Sequence, residues 1–203
     1  MFTGIVQGQA EVTLIERRDN FMQLTVRLPS SRAGNLQIGA SIAINGTCLT
    51  IASFDSCDVR FDLIEETLRV TNLGDITVGD HVNFERAAKF GDEIGGHLLS
   101  GHVSSVATID SIRKTLDNCE IWLKAPDHLS QYLLPKGFVS LNGCSLTIAD
   151  VKGNLFNIFL IPETLNVTTF GSANVGDRIN LEVDPQTQAI VDTVQRYLDQ
   201  SSI

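Results

Sequence analysis

Short stretches of alternating apolar and polar residues run through most of this chain. In residues 22–28, Met-Gln-Leu-Thr-Val-Arg-Leu, the alternation predicts a strand with one buried face. Residues 30–36 predict a short helix or turn, and residues 65–68 predict a single helical turn. The alternating strand is placed at 21–28, and further strands are predicted at 9–17, 41–44, 49–51, 59–64 and 82–85, separated by turns. Many short strands with few helices indicate small closed β-barrels, because closure removes exposed strand edges.

The whole pattern occurs twice. Residues 45–51, Asn-Gly-Thr-Cys-Leu-Thr-Ile, return at 142–148 as Asn-Gly-Cys-Ser-Leu-Thr-Ile. The same offset, from position 45 to position 142, aligns Gly4 with Gly101 and Glu85 with Glu182 without a gap. The chain therefore contains two copies of one folding unit. Each Asn-Gly pair predicts a tight turn, since both residues tolerate positive φ.

The repeat predicts two domains and a separate C-terminal segment. We place the first barrel over residues 1–90, a linker over 91–97, the second barrel over 98–187 and a terminal helix within 188–203. The apolar residues at 190, 191, 194, 197 and 198 form one face of that helix. This face packs either on its own barrel or against copies of itself in an oligomer.

Charge and composition exclude several classes of protein. The net charge of −9 argues against binding to nucleic acid, which favours a basic face. No secretory signal or membrane-spanning run is visible, so a cytoplasmic protein without a membrane partner is expected. The four cysteines contain no Cys-x-x-Cys pair, so a zinc site is not expected and the thiols are expected to be reduced.

Two repeated positions carry groups suited to chemistry. Cys48 follows the first tight turn and is either a buried small hydrophobe or a reactive thiol. Its counterpart Ser145 favours a functional reading, because both side chains are weak nucleophiles or hydrogen-bond donors. Thr50 and Thr147 are a second polar pair in apolar surroundings.

The histidines break the symmetry of the repeat. His102 aligns with Ile5, so only one copy carries a group that titrates near neutral pH at this position. The spacing of His97 and His102 does not fit a helical metal pair. Ordinary structural roles remain open at other positions: helix capping at Glu66-Thr67 and Glu163-Thr164, an exposed site at Lys136, a turn at Asp184 and a core position at Phe2.

Several motifs together resemble the riboflavin synthase family. They are residues 1–6, the paired NGxCLT and NGxSLT segments, residues 95–103, Lys136-Gly137, residues 160–165 and Val183-Asp184. The resemblance implies an all-β chain with two six-stranded Greek-key barrels, a C-terminal helix and a homotrimer. It also implies dismutation of two molecules of 6,7-dimethyl-8-ribityllumazine to riboflavin and a ribitylamino-pyrimidinedione, without a cofactor or metal. An association with lumazine synthase is left open.

The resemblance assigns substrate contacts to both barrels. The first pocket would use Cys48, Leu49, Thr50, Asp62, Leu63, Ile64, Glu65, Glu66 and Thr67. The second would use Ser145, Leu146, Thr147, Phe159, Leu160, Ile161, Pro162, Glu163 and Thr164. Further contacts are expected from across the subunit boundary, by Gly4, Ile5, Val6, Gly101, His102, Val103 and Lys136.

The implied reaction needs a base and a nucleophile. One lumazine must lose a proton from its 7-methyl group, and His102 or Thr147 is the expected base. The other must accept a nucleophile at ring carbon 7, for which Cys48, Ser145 and water remain alternatives. Phe2 is expected near the rings, and the surrounding polar network is expected to include Asp184, Asn45 and Asn142.

Asn142 departs from the family pattern, because many members have aspartate before this glycine. If that carboxylate tunes catalysis, Asn142→Asp should change turnover without changing ligand affinity. Two alternatives to an enzyme are a lumazine or flavin carrier related to the optical antenna proteins, and a purely structural oligomer. Carriers tend to keep one pocket and degrade the other, whereas both signatures survive here.

Overall fold

The first half of the chain folds into a closed, six-stranded antiparallel barrel. The computed structural model describes residues 1–201. The strands close in the order β1-β2-β5-β4-β3-β6, and α1 (Glu65–Val70) joins β5 to β6. Their bounds are β1 Gly8–Arg18, β2 Phe21–Arg27, β3 Ser41–Ile44, β4 Thr47–Asp55, β5 Asp58–Ile64 and β6 His81–Arg86.

The second half repeats this topology with one strand broken in two. The order β10-β9-β13-β7-β8-β12-β11 matches the first barrel when β10 and β11 are taken as one interrupted strand. The break lies at the position of a register shift between Ile51 and Ser53 in β4. The bounds are β7 Ser105–Lys114, β8 Cys119–Lys124, β9 Phe138–Leu141, β10 Cys144–Thr147, β11 Asp150–Lys152, β12 Leu155–Leu160, α2 Pro162–Val167 and β13 Arg178–Val183.

The alternation predicted from the sequence is confirmed in the burial of the strands. In β2, Met22, Leu24 and Val26 are fully buried and the residues between them face outward. Each such side chain contributes about 2 kcal/mol through burial. The two tight turns also form as predicted, with φ of 45° and 78° at Asn45-Gly46 and 46° and 81° at Asn142-Gly143.

These two turns lie back to back where the barrels meet. A Cβ added to Gly46 would lie 2.6 Å from the backbone nitrogen of Gly143, so the two turns approach as closely as glycine allows. Around them, equivalent hydrogen bonds cross the interface. The Nδ2 of Asn83 donates to the carbonyl of Asn142 at 3.0 Å, and the Nδ2 of Asn180 donates to the carbonyl of Asn45 at 2.8 Å.

The C-terminal helix α3 (Pro185–Ser201) docks on the second barrel along one side only. Val191 packs against that barrel's core, and the hydroxyl of Tyr132 donates to Asp192 Oδ1 at 2.5 Å. On the apolar face, Ile190 and Val194 remain 65% and 52% exposed. Positions 202 and 203 of the predicted terminal segment lie outside the described residues. Among the described helices, none is long and apolar enough to cross a membrane.

Candidate functional site

The segment that precedes each barrel packs against the other barrel. Ser145 N donates to the carbonyl of Gly4 at 2.8 Å, and Cys48 N donates to the carbonyl of Gly101 at 2.8 Å. A Cβ on Gly4 would lie 2.5 Å from Ser145 Cβ, and one on Gly101 would lie 2.6 Å from Cys48 Cβ. Both glycines also have positive φ, at 74° and 80°. Glycine is therefore required here for backbone conformation and for close approach.

Gly4 and Gly101 both contact the other barrel of their own chain. The two segments also pair with each other, since Phe2 and Leu99 exchange backbone hydrogen bonds of 2.9 and 3.0 Å. This short bridge ties both segments together between the barrels. The contacts expected from these glycines across the subunit boundary stay a prediction.

Two buried glutamates anchor the crossing segments. Glu85 accepts from Thr3 N at 2.6 Å, from the Thr3 hydroxyl at 2.8 Å and from Gly4 N at 3.0 Å. Its repeat mate Glu182 accepts equivalent bonds from Ser100 and Gly101. Burial raises the pKa of both carboxyl groups, while these hydrogen bonds oppose the shift. The repeat aligns the two glutamates, but no pattern in the sequence indicated their role.

The second barrel carries an open cleft of about 410 Å³. Its walls are Lys136, Ser145, Leu146, Thr147, Ala149, Phe159, Ile161 and Thr164. The structure thus brings together most residues predicted for this pocket. Leu160 points instead into the core, because strand alternation buries it between two exposed neighbours. Pro162 and Glu163 are exposed at the start of α2.

His97 belongs to this site, although the predicted pocket omitted it. Its Nδ1 lies 2.6 Å from Ser145 Oγ, and its ring stacks on Phe138 with centroids 4.9 Å apart. Burial lowers the pKa of His97, and the charge of Asp184 partly offsets that effect. Gly96 makes the approach feasible, because a Cβ there would lie 2.6 Å from Ser145 Cβ. In the sequence, the signal that could have indicated this contact is Gly95-Gly96 directly before His97, because Gly96 leaves room for Ser145.

The first barrel presents the equivalent elements with different side chains. Cys48 is half-buried on β4, between the buried Thr47 and the buried Leu49, and Thr50 is exposed. On β5 and α1, Asp62 accepts from Gln23 Nε2 at 3.0 Å, and Glu66 forms an exposed ion pair with Arg69. The remaining predicted contacts are the buried Leu63, the exposed Ile64 and Glu65, and the half-buried Thr67.

The crossing segments add their own side chains to these sites. His102 is exposed beside Gly101 on the first-barrel side, and Val103 is half-buried. On the other segment, Ile5 is 48% exposed, whereas Val6 joins the core of the second barrel. Phe2 is only 1% exposed and packs with Ala43 and Leu99, with Cys48 against this cluster. Phe2 therefore supports the wall behind Cys48.

The residues predicted for a surrounding network lie elsewhere. Asn142 Oδ1 accepts from Asn180 N and Asn72 Nδ2, and Asn45 Oδ1 accepts from Asn83 N, all at the interface of the barrels. Asp184 caps α3 by accepting from Thr187 and Gln186. Burial alone would raise the pKa of Asp184, but these hydrogen bonds outweigh it and lower the pKa.

Three further observations describe the surroundings of this site. Burial raises the pKa of Cys144 to about 12, so this neighbour of Ser145 is an inert thiol at neutral pH. Lys136 adopts φ of 69°, a conformation costly for a residue with a Cβ, where the first barrel has Gly39. Across residues 1–201, no three His, Cys, Asp or Glu side chains gather as a metal site.

Comparison with known proteins agrees with this fold and site. The sequence matches the lumazine binding domain twice, over residues 3–87 and 100–184. It is 52% identical over 199 residues to the riboflavin synthase of Escherichia coli strain K12, covering 98% of this chain and 93% of that protein. The structure of LumP complexed with riboflavin is similar with a TM-score of 0.86, at 27% identity, covering 91% of this chain and all of LumP.

LumP complexed with 6,7-dimethyl-8-ribityllumazine is also similar, with a TM-score of 0.83 at 26% identity; it covers 91% of this chain and 99% of that chain. Two lumazine binding domains in one chain define the class of protein. Within it, this chain belongs to the riboflavin synthase family. The resemblance read from the repeated motifs is thereby confirmed.

Proposed function

We propose that the chain acts as riboflavin synthase and converts two molecules of 6,7-dimethyl-8-ribityllumazine into riboflavin and 5-amino-6-(D-ribitylamino)uracil. One lumazine loses a four-carbon unit and the other gains it, so no external oxidant or reductant is consumed. A reaction between two identical molecules needs two similar sites. The observation that carries the proposal is the pair of equivalent sites centred on Cys48 and Ser145, each covered by a crossing segment.

The two sites offer different groups for the two halves of the reaction. Cys48 and His102 belong to the first-barrel site, while Ser145 and Thr147 line the second-barrel cleft. Each site therefore has one candidate base for the 7-methyl proton, His102 or Thr147. Cys48, Ser145 and water are the candidates for addition at ring carbon 7 of the other lumazine. Cys144 is excluded from this role by burial of its thiol.

We infer that the reacting molecules meet between subunits of a homotrimer. Each site has exposed apolar side chains beside it, with Ile64, Phe159 and Ile161 at 61%, 45% and 61%. Exposed apolar surface of this kind marks interaction sites. Placing a first-barrel site against a second-barrel site would align both substrates, and effective molarities of about 10⁵ M or more then assist the reaction.

The exposed face of α3 supports the same assembly. Replacing both Ile190 and Val194 by aspartate should convert the trimer into monomers and abolish most of the activity, as measured by analytical ultracentrifugation and turnover. Arg196→Asp, on the far side of α3 from Ile190 and Val194, is the matched control and should remain trimeric. A double variant that stays trimeric would exclude α3 as the contact.

The activity itself is tested by mixing the purified chain with the lumazine. An enzyme produces riboflavin absorption and fluorescence without added cofactor, whereas a carrier binds the lumazine and leaves it unchanged. We place this reaction in the cytoplasm. Association with lumazine synthase, whose product is this substrate, is testable by co-sedimentation of the two purified proteins.

A further inference from the structure

His97 is a buried histidine in which only one of the two ring nitrogens has a hydrogen-bond partner among the described residues. It is 7% exposed, and its Nδ1 lies 2.6 Å from Ser145 Oγ. Its Nε2 is also buried and has no hydrogen-bond partner among the described residues. Burial lowers the pKa of His97, so the ring is neutral at neutral pH and carries one proton. That proton resides on either Nδ1 or Nε2.

The hydrogen-bond partners of the two ring nitrogens decide whether the proton is on Nδ1 or Nε2. If Ser145 donated to Nδ1, the proton would be on Nε2, leaving a buried N–H without an acceptor. If Nδ1–H donates to Ser145 Oγ, Nε2 is left only with an unshared lone pair. Buried N–H donors without partners are rarer and costlier than under-used acceptors. The Nδ1–H form of His97 is therefore favoured.

This form fixes what Ser145 can do. Its oxygen accepts from His97, so its own proton must point elsewhere. No other partner of Ser145 Oγ exists within residues 1–201, and Ser145 lines the cleft of about 410 Å³. The hydroxyl proton is thus available to a ligand in that cleft. A serine activated as a nucleophile would need the opposite arrangement, with its proton on the base.

We propose that His97 positions Ser145 as a hydrogen-bond donor to a carbonyl oxygen or ring nitrogen of the heterocycle bound in the second barrel, and that Ser145 is not the nucleophile. This inference rests on the proposed function. It also separates the two sites, because no histidine within residues 1–201 hydrogen-bonds to Cys48, the equivalent residue in the first barrel. The nucleophile is then Cys48 or water.

The position of the proton can be measured directly. In a ¹⁵N–¹³C correlation spectrum of the imidazole rings, each tautomer has its own pair of nitrogen shifts. The chain has four histidines, so comparison with His97→Phe assigns the signal. We expect a neutral ring protonated on Nδ1 at pH 7. A proton on Nε2, or a charged ring, would overturn the proposal. The measurement does not depend on turnover, so failure of the synthase assay alone would count only against the proposed function.

Ligand binding tests the coupling between the two side chains. With riboflavin as an unreactive probe, Ser145→Ala should weaken binding at one of two sites by about fivefold to tenfold. His97→Phe keeps the stacking on Phe138 but removes the donor, and should weaken the same site to a similar or smaller extent. His97→Asn places an amide N–H near the position of Nδ1 and should retain most of the affinity.

A double variant distinguishes positioning from general damage. If His97 acts through Ser145, adding His97→Phe to Ser145→Ala should cost no further affinity. If His97→Phe lowers the affinity as much in the Ser145→Ala variant as in the wild type, the proposal is contradicted. The pH–rate profile gives an independent check: His97→Asn should keep the wild-type shape. Loss of one limb would instead indicate that His97 activates Ser145 as a base.

Discussion

The two barrels share a fold and differ in the side chains at their candidate sites. Strands, helices and turns recur at one offset, and the anchoring pair Glu85 and Glu182 recurs with them. The candidate sites diverge: the second has Lys136, Phe159 and a serine bonded to histidine, where the equivalent positions of the first are Gly39, Asp62 and Cys48. Duplication thus preserved the features that hold the two repeats together and changed the side chains at the two candidate sites.

What both copies retain serves the contact between them. Positive-φ turn residues, crossing glycines and buried glutamates all lie where one repeat touches the other. Each site is therefore built jointly, with strands from one repeat and a covering segment from the other. The comparison predicts that changes to shared features will damage stability, while changes to divergent ones will alter one site alone.

The largest effect is expected at the back-to-back turns. Gly46→Ala adds a Cβ 2.6 Å from a backbone atom of Gly143, so the barrels must separate locally. We expect a loss of about 3 kcal/mol in the free energy of unfolding. Gly79→Ala has a similarly positive φ of 96° but no atom within 4 Å, and should cost about 1 kcal/mol. Equal losses in urea unfolding would show that the close approach contributes nothing.

The next effect concerns the anchors of the crossing segments. Glutamine cannot accept from all the donors that each glutamate serves, so Glu85→Gln and Glu182→Gln should each cost about 2 kcal/mol. Glu85→Gln should mainly weaken riboflavin binding in the second barrel, and Glu182→Gln in the first. Each variant is the control for the other in a two-site titration. If Glu85→Gln and Glu182→Gln weaken the same site equally, each crossing segment does not serve a separate site.

These two carboxyl groups also predict the sign of a pH effect. Burial raises their pKa in the folded chain above the value in the unfolded chain. Their contribution is therefore complete at low pH and is lost as the pH rises through the folded pKa. From about pH 4.3 toward neutrality, wild-type unfolding free energy should fall relative to that of the double glutamine variant. If the unfolding free energy of the wild type instead rises relative to that of the double glutamine variant as the pH rises, the predicted sign is wrong.

A smaller effect tests a divergent position. Lys136→Gly removes a side chain from a position with left-handed backbone conformation, so the fold should be stabilised by about 1 kcal/mol. The same substitution should weaken ligand binding in the second barrel. Gly39→Lys is the mirror variant and should destabilise the first barrel by a similar amount, because its φ of 85° is also positive. Unchanged affinity in Lys136→Gly, measured by calorimetric titration, would remove Lys136 from the site.

The smallest effect is expected at Asn142. Its Oδ1 serves the interface of the barrels, and an aspartate oxygen can accept the same two hydrogen bonds. Asn142→Asp should therefore leave turnover within about twofold. Asn45→Asp is the equivalent control in the first repeat. A larger change in turnover for Asn142→Asp alone would support the earlier hypothesis that the charge tunes catalysis.

The sequence alone determined the local structure and the duplication. Alternation in residues 22–28 predicted a half-buried strand, and the two Asn-Gly pairs predicted turns that the φ angles confirm. These features depend on side-chain periodicity and on conformations that few residues tolerate. The same motifs identified the family and most of the walls of the second cleft.

Only the tertiary structure decided which repeat supplies which part of a site. Gly4 lies 141 positions from Ser145 in the chain, yet their backbones touch, and no local pattern encodes such a crossing. The same holds for His97, whose contact with Ser145 depends on a glycine beside it and on burial against Phe138. Periodicity reports the face on which a residue lies, whereas long-range packing determines what it meets.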